Sequence, residues 1–344
     1  MTSARLPYPE FDQCRGTASV HLLSELAQQQ GMSFAQCLDK TGLSEADLHA
    51  SDLEIRAGQE LQLIENMLQY CDHDFALGIT AGLGYHISSY GTWGFAMISC
   101  PTLRSAIELG LRYLDLTFAF THITMQEHGD EVSLQVDAGH LPEHLQAFLI
   151  ARDMLAIQTI QHELLLSPIP VCSVCLSLSE APGKELIEST LGIEIELNQS
   201  ANRISFSRNY LDLPLPQGNP ATVALFEQQC QQLLDARFSN AGIASQLRQR
   251  LMMNSRNIPS MAQLAEELAM GERTLRRKLS AEGTSWRQLL DDVRCTLAEE
   301  LLLAGMSVEE VAERLAYSEV SNFTHAFKRW KGVPPSGFRR RQSN

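Results

Sequence analysis

Apolar residues in the last third of the chain fall at Met261, Leu264, Ala265 and Leu268, and again 47 residues on at Val308, Val311, Ala312 and Leu315. The i, i+3, i+4, i+7 spacing predicts an amphipathic helix in each place. Both are opened by a capping-box pair, Ser260 with Gln263 and Ser307 with Glu310, whose side chains satisfy backbone N–H groups that a helix start leaves unpaired. A short turn follows each, Met270-Gly271 and Tyr317-Ser318. A second helix then begins, with Leu275 and Leu279 inward in the first copy and Phe323, Ala326, Phe327 and Trp330 inward in the second. Two short helices about a tight turn make a helix-turn-helix, here in tandem. Between the copies, Leu289, Leu290, Val293, Leu297 and Leu301 stripe a third helix from Trp286 to Ala304, capped by Ser285 with Gln288 and stopped by Gly305. At roughly 1.5 Å per residue it is about 28 Å long, near the roughly 34 Å of one DNA turn. A rod of that length can hold two reading helices over successive major-groove segments.

Residues 1–216 read as one mixed α/β domain. Helical patterns run from His21 to Gln30, from Ala57 to Tyr70 and from Thr102 to Leu114, and Thr117 to Glu127 with Glu131 to Ala138 reads as a β-hairpin about Gly129-Asp130. A long helix from Glu143 to Leu166 follows, then strands near Val171 to Leu178, Glu194 to Leu197 and Arg203 to Ser207, with a helix from Lys184 to Leu191. Pro214, Pro216, Gly218 and Pro220 break the pattern before a linker helix within 217–240, and 241–344 hold the tandem. Along the linker, Val223, Phe226, Cys230 and Leu233 form a heptad seam of two repeats, which either pairs two subunits or packs against its own domain.

Charge divides the chain in the same place. From Asn240 onward there are 16 Lys and Arg against 12 Asp and Glu, whereas residues 1–239 hold 11 against 29, within an overall net charge of −14. Phosphate repels an acidic body, so nucleic-acid binding must be confined to the C-terminal part. No secretory signal and no apolar run of 18 or more is present, which leads to the expectation of a soluble, cytoplasmic protein with no membrane partner. The 8 cysteines follow no disulfide framework. Cys172 and Cys175 form a C-x-x-C, but a zinc site needs a second ligand pair and none follows, so they read as core cysteines of a buried strand. No metal, no cofactor and no catalytic residue is expected.

The run from Val311 to Arg340, with Ala312, Leu315, Tyr317, Asn322, Phe323, Phe327, Lys328, Gly332, Pro334, Pro335 and Arg339, resembles the signature of the AraC/XylS family of bacterial transcription regulators. Ala265, Leu268, Arg273, Thr274, Leu275, Arg277, Leu279 and Gly283 are similar to that family's first motif. The N-terminal part resembles the module of ornithine-utilisation and virulence-type regulators, through Tyr90, Gly91, Gly94, Pro101 to Leu103, Ala106, Arg112, Tyr113 and Leu213 to Pro216. It is unlike the sugar-binding β-barrel type. The resemblance implies a mixed α/β sensor domain, joined to an all-α domain with two helix-turn-helix motifs on a long helix. It implies an effector-responsive activator whose partners are double-stranded DNA, RNA polymerase and a small molecule. The first domain then senses that molecule or makes a homodimer.

With Leu275 and Leu279 inward, Arg273, Arg276 and Arg277 project outward, and arginine pairs bidentately with guanine O6 and N7. On the second reading helix the outward set is Val320, Ser321, Asn322 and His325, and the resemblance places base contacts at the same positions. Ser285, Arg287, Thr324, Lys328, Arg329 and Lys331 suit phosphates, which fix register without reading sequence. Arg294, on the apolar linking helix, reads as a structural ion pair with Glu299 or Glu313. Tyr90, Trp93, Arg112, Tyr113 and His122 are the candidates for a ligand pocket, since aromatics with a few polar groups suit one; the competing reading makes them core. The alternative function is an enzyme or a redox or metal sensor with a DNA-binding appendage. DNA-repair methyltransferases of that design carry a Pro-Cys-His-Arg setting, which is absent here, as are G-x-S-x-G and phosphate-loop motifs.

Overall fold

Residues 8, 11, 13–48, 50, 53–165, 167–240, 242–253, 259–303, 306–317 and 319–342 are described in the computed structural model. They divide between two units, Met1–Arg237 and Phe238–Asn344. In chain order the first unit holds β1 (Cys14–Gly16), α1 (Ala18–Gln29), α2 (Phe34–Cys37), α3 (Glu45–Leu48), β2 (Glu54–Arg56), α4 (Ala57–Tyr70), α5 (Asp74–Leu83), α6 (Thr92–Ser99) and α7 (Leu103–Arg112). It continues with β3 (His122–His128), β4 (Glu131–Asp137), α8 (Glu143–Leu165), β5 (Val171–Cys175), α9 (Lys184–Leu191), β6 (Ile195–Glu196) and β7 (Arg203–Ser207), and α10 (Pro220–Asn240) runs past the boundary.

β1 and β2 pair with each other, and the other five strands form an open sheet of order β3-β4-β7-β5-β6, antiparallel except for β5 and β6. α8 is the central helix, with Leu145, Phe148, Leu149, Met154 and Leu155 fully buried. Two glycines let α5 lie against it. A Cβ on Gly78 would stand 2.3 Å from the Phe148 carbonyl oxygen, and one on Gly82 would stand 2.4 Å from that of Arg152, so any side chain there would force the helices apart.

Several expected elements change at their ends. The hairpin begins at His122 rather than Thr117, because the preceding backbone is claimed by side chains. The Phe118 carbonyl accepts from Arg15 and Arg152, and the Thr121 N–H donates to Asp153. The strand from Val171 stops at Cys175, and a register shift between Val171 and Ser173 turns Cys172 outward. Cys172 is exposed and Cys175 buried, which corrects the reading of both as core. On α10 the seam positions Val223 and Phe226 are half-buried and Cys230 is fully buried, while Leu234 rather than the exposed Leu233 continues the inward face. Phe226 stacks on Phe95 of the same unit, with ring centroids 5.5 Å apart. Leu166 at the expected end of α8 lies outside the described residues.

The second unit is helical: α11 (Ile243–Met253), α12 (Met261–Glu267), α13 (Glu272–Ala281), α14 (Trp286–Leu303), α15 (Val308–Arg314), α16 (Val320–Lys331) and α17 (Pro335–Gln342). Both capping boxes form, with Ser260 and Ser307 accepting from the N–H groups of Gln263 and Glu310. Leu264, Leu275, Leu279, Leu289, Leu315, Phe323 and Phe327 are wholly buried in a single apolar core. α11, which the sequence reading did not place, joins that core through Leu247 and Leu251, and its first N–H groups are capped by the Glu282 carboxylate, at 2.7 Å from Ile243 N and 2.8 Å from Ala244 N.

The tight turns pivot one residue earlier than expected. Ala269 and Ala316 take left-handed backbone, at φ 50° and 58°, while Gly271 is extended and caps α13. The Met270 and Tyr317 N–H groups each return 2.9 Å to the carbonyls of Ala265 and Ala312, the helix-ending bond that compensates the strained alanine. Ser318 in the second turn, and Ala304 with Gly305 at the end of the linking helix, lie outside the described residues.

Candidate nucleic-acid interface and effector cavity

On α13 only Leu275 and Leu279 are buried, and Arg273, Arg276, Arg277 and Lys278 are exposed on the opposite side. Arg276 is held by Glu272 one turn back at 3.2 Å, which fixes its stem along the helix. α16 has the same plan with different chemistry: Phe323, Ala326 and Phe327 point in, while Val320, Ser321, Asn322 and His325 are exposed near its N-terminal end and Thr324 is half-buried. Its basic C-terminal residues are tied to α14, with Arg329 2.9 Å from Asp291 and Lys331 2.6 Å from Glu299. Lys328 and Arg287 are exposed, and the Ser285 hydroxyl is engaged with Gln288 in capping α14. Arg294 is structural, but among the described residues it makes no ion pair with Glu299 or Glu313. Its guanidinium lies over the Tyr317 ring at 4.6 Å and reaches the Ala316 carbonyl at 3.5 Å, so it braces the second turn.

In the first unit, a cavity of about 100 Å³ lies between α8, the helices α6 and α7, and strands β3, β4 and β7. Its wall is apolar, with Leu103, Ile107, Leu134, Ile160, Ile204 and Phe206 among the contributors. Tyr90 and Trp93 lie on it; Arg112, Tyr113 and His122 do not. α7 turns Leu103, Ile107 and Leu111 to the cavity, so the next residues face elsewhere. Arg112 forms an ion pair with Glu227 of α10, and the Tyr113 hydroxyl donates to Gln231 at 3.4 Å. Strand alternation explains His122: Ile123 faces the cavity, and His122 turns the other way to stack on His140 with ring centroids 4.2 Å apart.

One end of the cavity is closed by a buried charge network that the sequence reading missed. Arg152 donates through Nε to Asp153 at 2.8 Å, through Nη1 to Glu60 at 3.4 Å and through Nη2 to the Phe118 carbonyl at 2.9 Å. Arg15 binds the other Glu60 oxygen at 3.2 Å, and Ser19 links Glu60 to the Tyr85 hydroxyl through two 2.5 Å contacts. Burial opposes the Arg152 charge, but Asp153, Tyr85 and Glu60 outweigh it and raise its pKa. Burial also pushes the Tyr85 phenol up to about 12.

Comparison with known proteins agrees with both units. Residues 31–215 match the model of the arabinose-binding N-terminal domain of the AraC transcription regulator, and residues 264–341 match a helix-turn-helix domain model. Two uncharacterized HTH-type transcriptional regulators, from Mycobacterium bovis and Mycobacterium tuberculosis, are each 35% identical over 328 residues, 94% of this chain and 95% of theirs. The chain belongs to the AraC family of transcription regulators. The ornithine utilization regulator of Pseudomonas aeruginosa is 30% identical over 267 residues, 77% of this chain and 78% of its own. A crystal structure of the transcriptional regulator CdpR from the same organism covers 94% of this chain and 98% of its own at 22% identity and a TM-score of 0.47.

This AraC-family chain is therefore a DNA-binding helix-turn-helix regulator with a mixed α/β N-terminal unit. Among the described residues no helix is long and apolar enough to cross a membrane, and no group of three or more metal-ligating side chains gathers.

Proposed function

We propose that the protein is an effector-responsive activator that reads two successive major-groove segments of a promoter. In this reading residues 1–216 sense the effector, 217–240 link, and 241–344 bind DNA, in the cytoplasm and without catalysis. α13 reads bases with Arg273, Arg276 and Arg277, and α16 with Val320, Ser321, Asn322 and His325. Ser285, Arg287, Thr324, Lys328, Arg329 and Lys331 hold phosphates, the last two after leaving their carboxylate partners on α14. The observation that carries the reading is the repetition of one capped scaffold with an exposed polar face on each second helix. α7 supports the responsive part, since it lines the cavity on one side and grips α10, the helix that leads into the DNA-binding unit, through Arg112 and Tyr113. A homodimer and RNA polymerase are the proposed protein partners, with exposed Leu225 and Leu233 of α10 available to the former.

The test is a pair of substitutions measured on specific and random DNA. Arg277→Ala should cost roughly 1–3 kcal/mol on the specific site and relax preference at one base pair, whereas Lys331→Ala should weaken both DNAs alike. Equal losses on both DNAs for both variants would remove the base-reading assignment.

A further inference from the structure

Every charged group on the cavity wall is already satisfied by its neighbours. Arg152 has Asp153, Glu60 and a carbonyl on its three nitrogens, and Asp153 has its second oxygen on the Thr121 hydroxyl at 2.7 Å. With Arg15 and Glu60 included, the cluster carries two positive and two negative charges and no excess of either. The neutral polar groups are largely spent as well: the Tyr85 hydroxyl is on Ser19, and the Gln161 amide is engaged with Ser167 and Ile169. Two are left. Tyr90 touches the rings of Tyr85, Trp93 and Phe118, and its hydroxyl has no hydrogen-bond partner among the described residues; the Gln158 amide on the same wall has none either.

We infer that the cavity takes a small, neutral, mainly apolar molecule with a single hydrogen-bonding group, a phenol-like or short alcohol-like ligand, rather than a sugar, an amino acid or a carboxylate. This rests on the reading of the N-terminal unit as an effector sensor. An ionised ligand would lose its hydration and find no uncommitted counter-charge, and a polyol would leave several hydroxyls unpaired against leucine and isoleucine. Size sets an upper bound: an apolar cavity of roughly 150 Å³ accommodates a benzene ring, so this one, at about 100 Å³, limits the ligand to one small ring or a short chain, and a ring such as p-cresol enters with a small outward shift of the wall. The Tyr90 hydroxyl and the Gln158 amide supply the one polar contact that orients it.

The experiment measures binding of p-cresol, benzoate, benzylammonium, L-ornithine and L-arabinose to the full-length protein, to Tyr90→Phe and to Ala156→Phe, which fills the cavity from α8. The expected result is one p-cresol site, weakened about tenfold by Tyr90→Phe, a figure of roughly 1.4 kcal/mol, and abolished by Ala156→Phe, with the four charged or polyhydroxylated probes at least tenfold weaker. Tyr90→Phe is nearly isosteric and keeps the test valid if Ala156→Phe fails to fold. A charged probe or arabinose binding as tightly as p-cresol overturns the inference; so does the absence of p-cresol binding, or p-cresol binding unchanged by Tyr90→Phe. DNA affinity with each probe bound is read separately. p-Cresol seated in the cavity with promoter affinity unchanged upholds the ligand class and removes the responsiveness, while affinity that shifts with benzoate and not with p-cresol does the opposite.

Discussion

The two units of this chain place their polar chemistry on opposite sides of their cores. The C-terminal unit has an apolar interior, and the side chains proposed to read bases stand exposed on α13 and α16. The N-terminal unit buries two arginines and two carboxylates beside a cavity, so its charged chemistry is internal. Charges at a hydrated surface remain available to a polyanion, whereas charges fixed in a dry interior must be paired, because each unpaired one there is costly. The same residue type therefore has two energetic meanings here, depending on which unit carries it.

The largest contrast should come from removing one charge partner in each unit. Asp153→Ala leaves Arg152 buried without its nearest counter-charge and should destabilise the N-terminal unit by roughly 3–5 kcal/mol in urea unfolding followed at that unit. A loss under about 1 kcal/mol would mean the network is wet and the comparison fails.

Alkaline pH sharpens the contrast next. The folded Tyr85 phenol stays neutral to about 12, whereas an unfolded one ionises near 10. Its contribution is therefore complete below pH 10 and is lost as pH rises toward 12, a change of order 2–3 kcal/mol. Tyr85→Phe should flatten that limb of the stability profile, and an unaltered profile would contradict the burial.

The C-terminal scaffold should respond more mildly and symmetrically. Ser260→Ala and Ser307→Ala each remove one cap and should cost about 1 kcal/mol in thermal unfolding; a large difference between them would show that the two copies are not equivalent supports. Smallest of all, Asp291→Ala frees Arg329 at the surface and should change stability by less than about 1 kcal/mol. If that arginine holds a phosphate, DNA affinity should rise slightly with it gone.

The same contrast governs what the sequence could reveal. Surface-reading helices leave a periodic imprint, so the stripes, both capping boxes and the outward arginines were legible from Ser260 to Lys331. The turns were expected at Met270-Gly271 and Tyr317-Ser318, and the left-handed alanines at 269 and 316 were not foreseen, because the N–H bond that returns across each turn leaves no imprint in the hydrophobic periodicity. The strand Arg203–Ser207 and the helices at 57–70 and 184–191 were read to the residue, since their periodicity is local. The charge network was not legible at all: Arg15, Glu60 and Arg152 are far apart in the chain, and nothing local marks them as partners. For the cavity, an aromatic cluster near Tyr90 was visible. The rotation that sends Arg112 and Tyr113 to α10 instead depends on the packing of α7.

The most direct test of the account is the binding of purified full-length protein to sheared genomic DNA, with sequencing of the bound fraction. A sharp motif of two half-elements about one helical turn apart, roughly 10 base pairs, is predicted, with preference relaxed at one base pair by Arg277→Ala. Salt-sensitive binding with no motif, both without ligand and with p-cresol present, would contradict it.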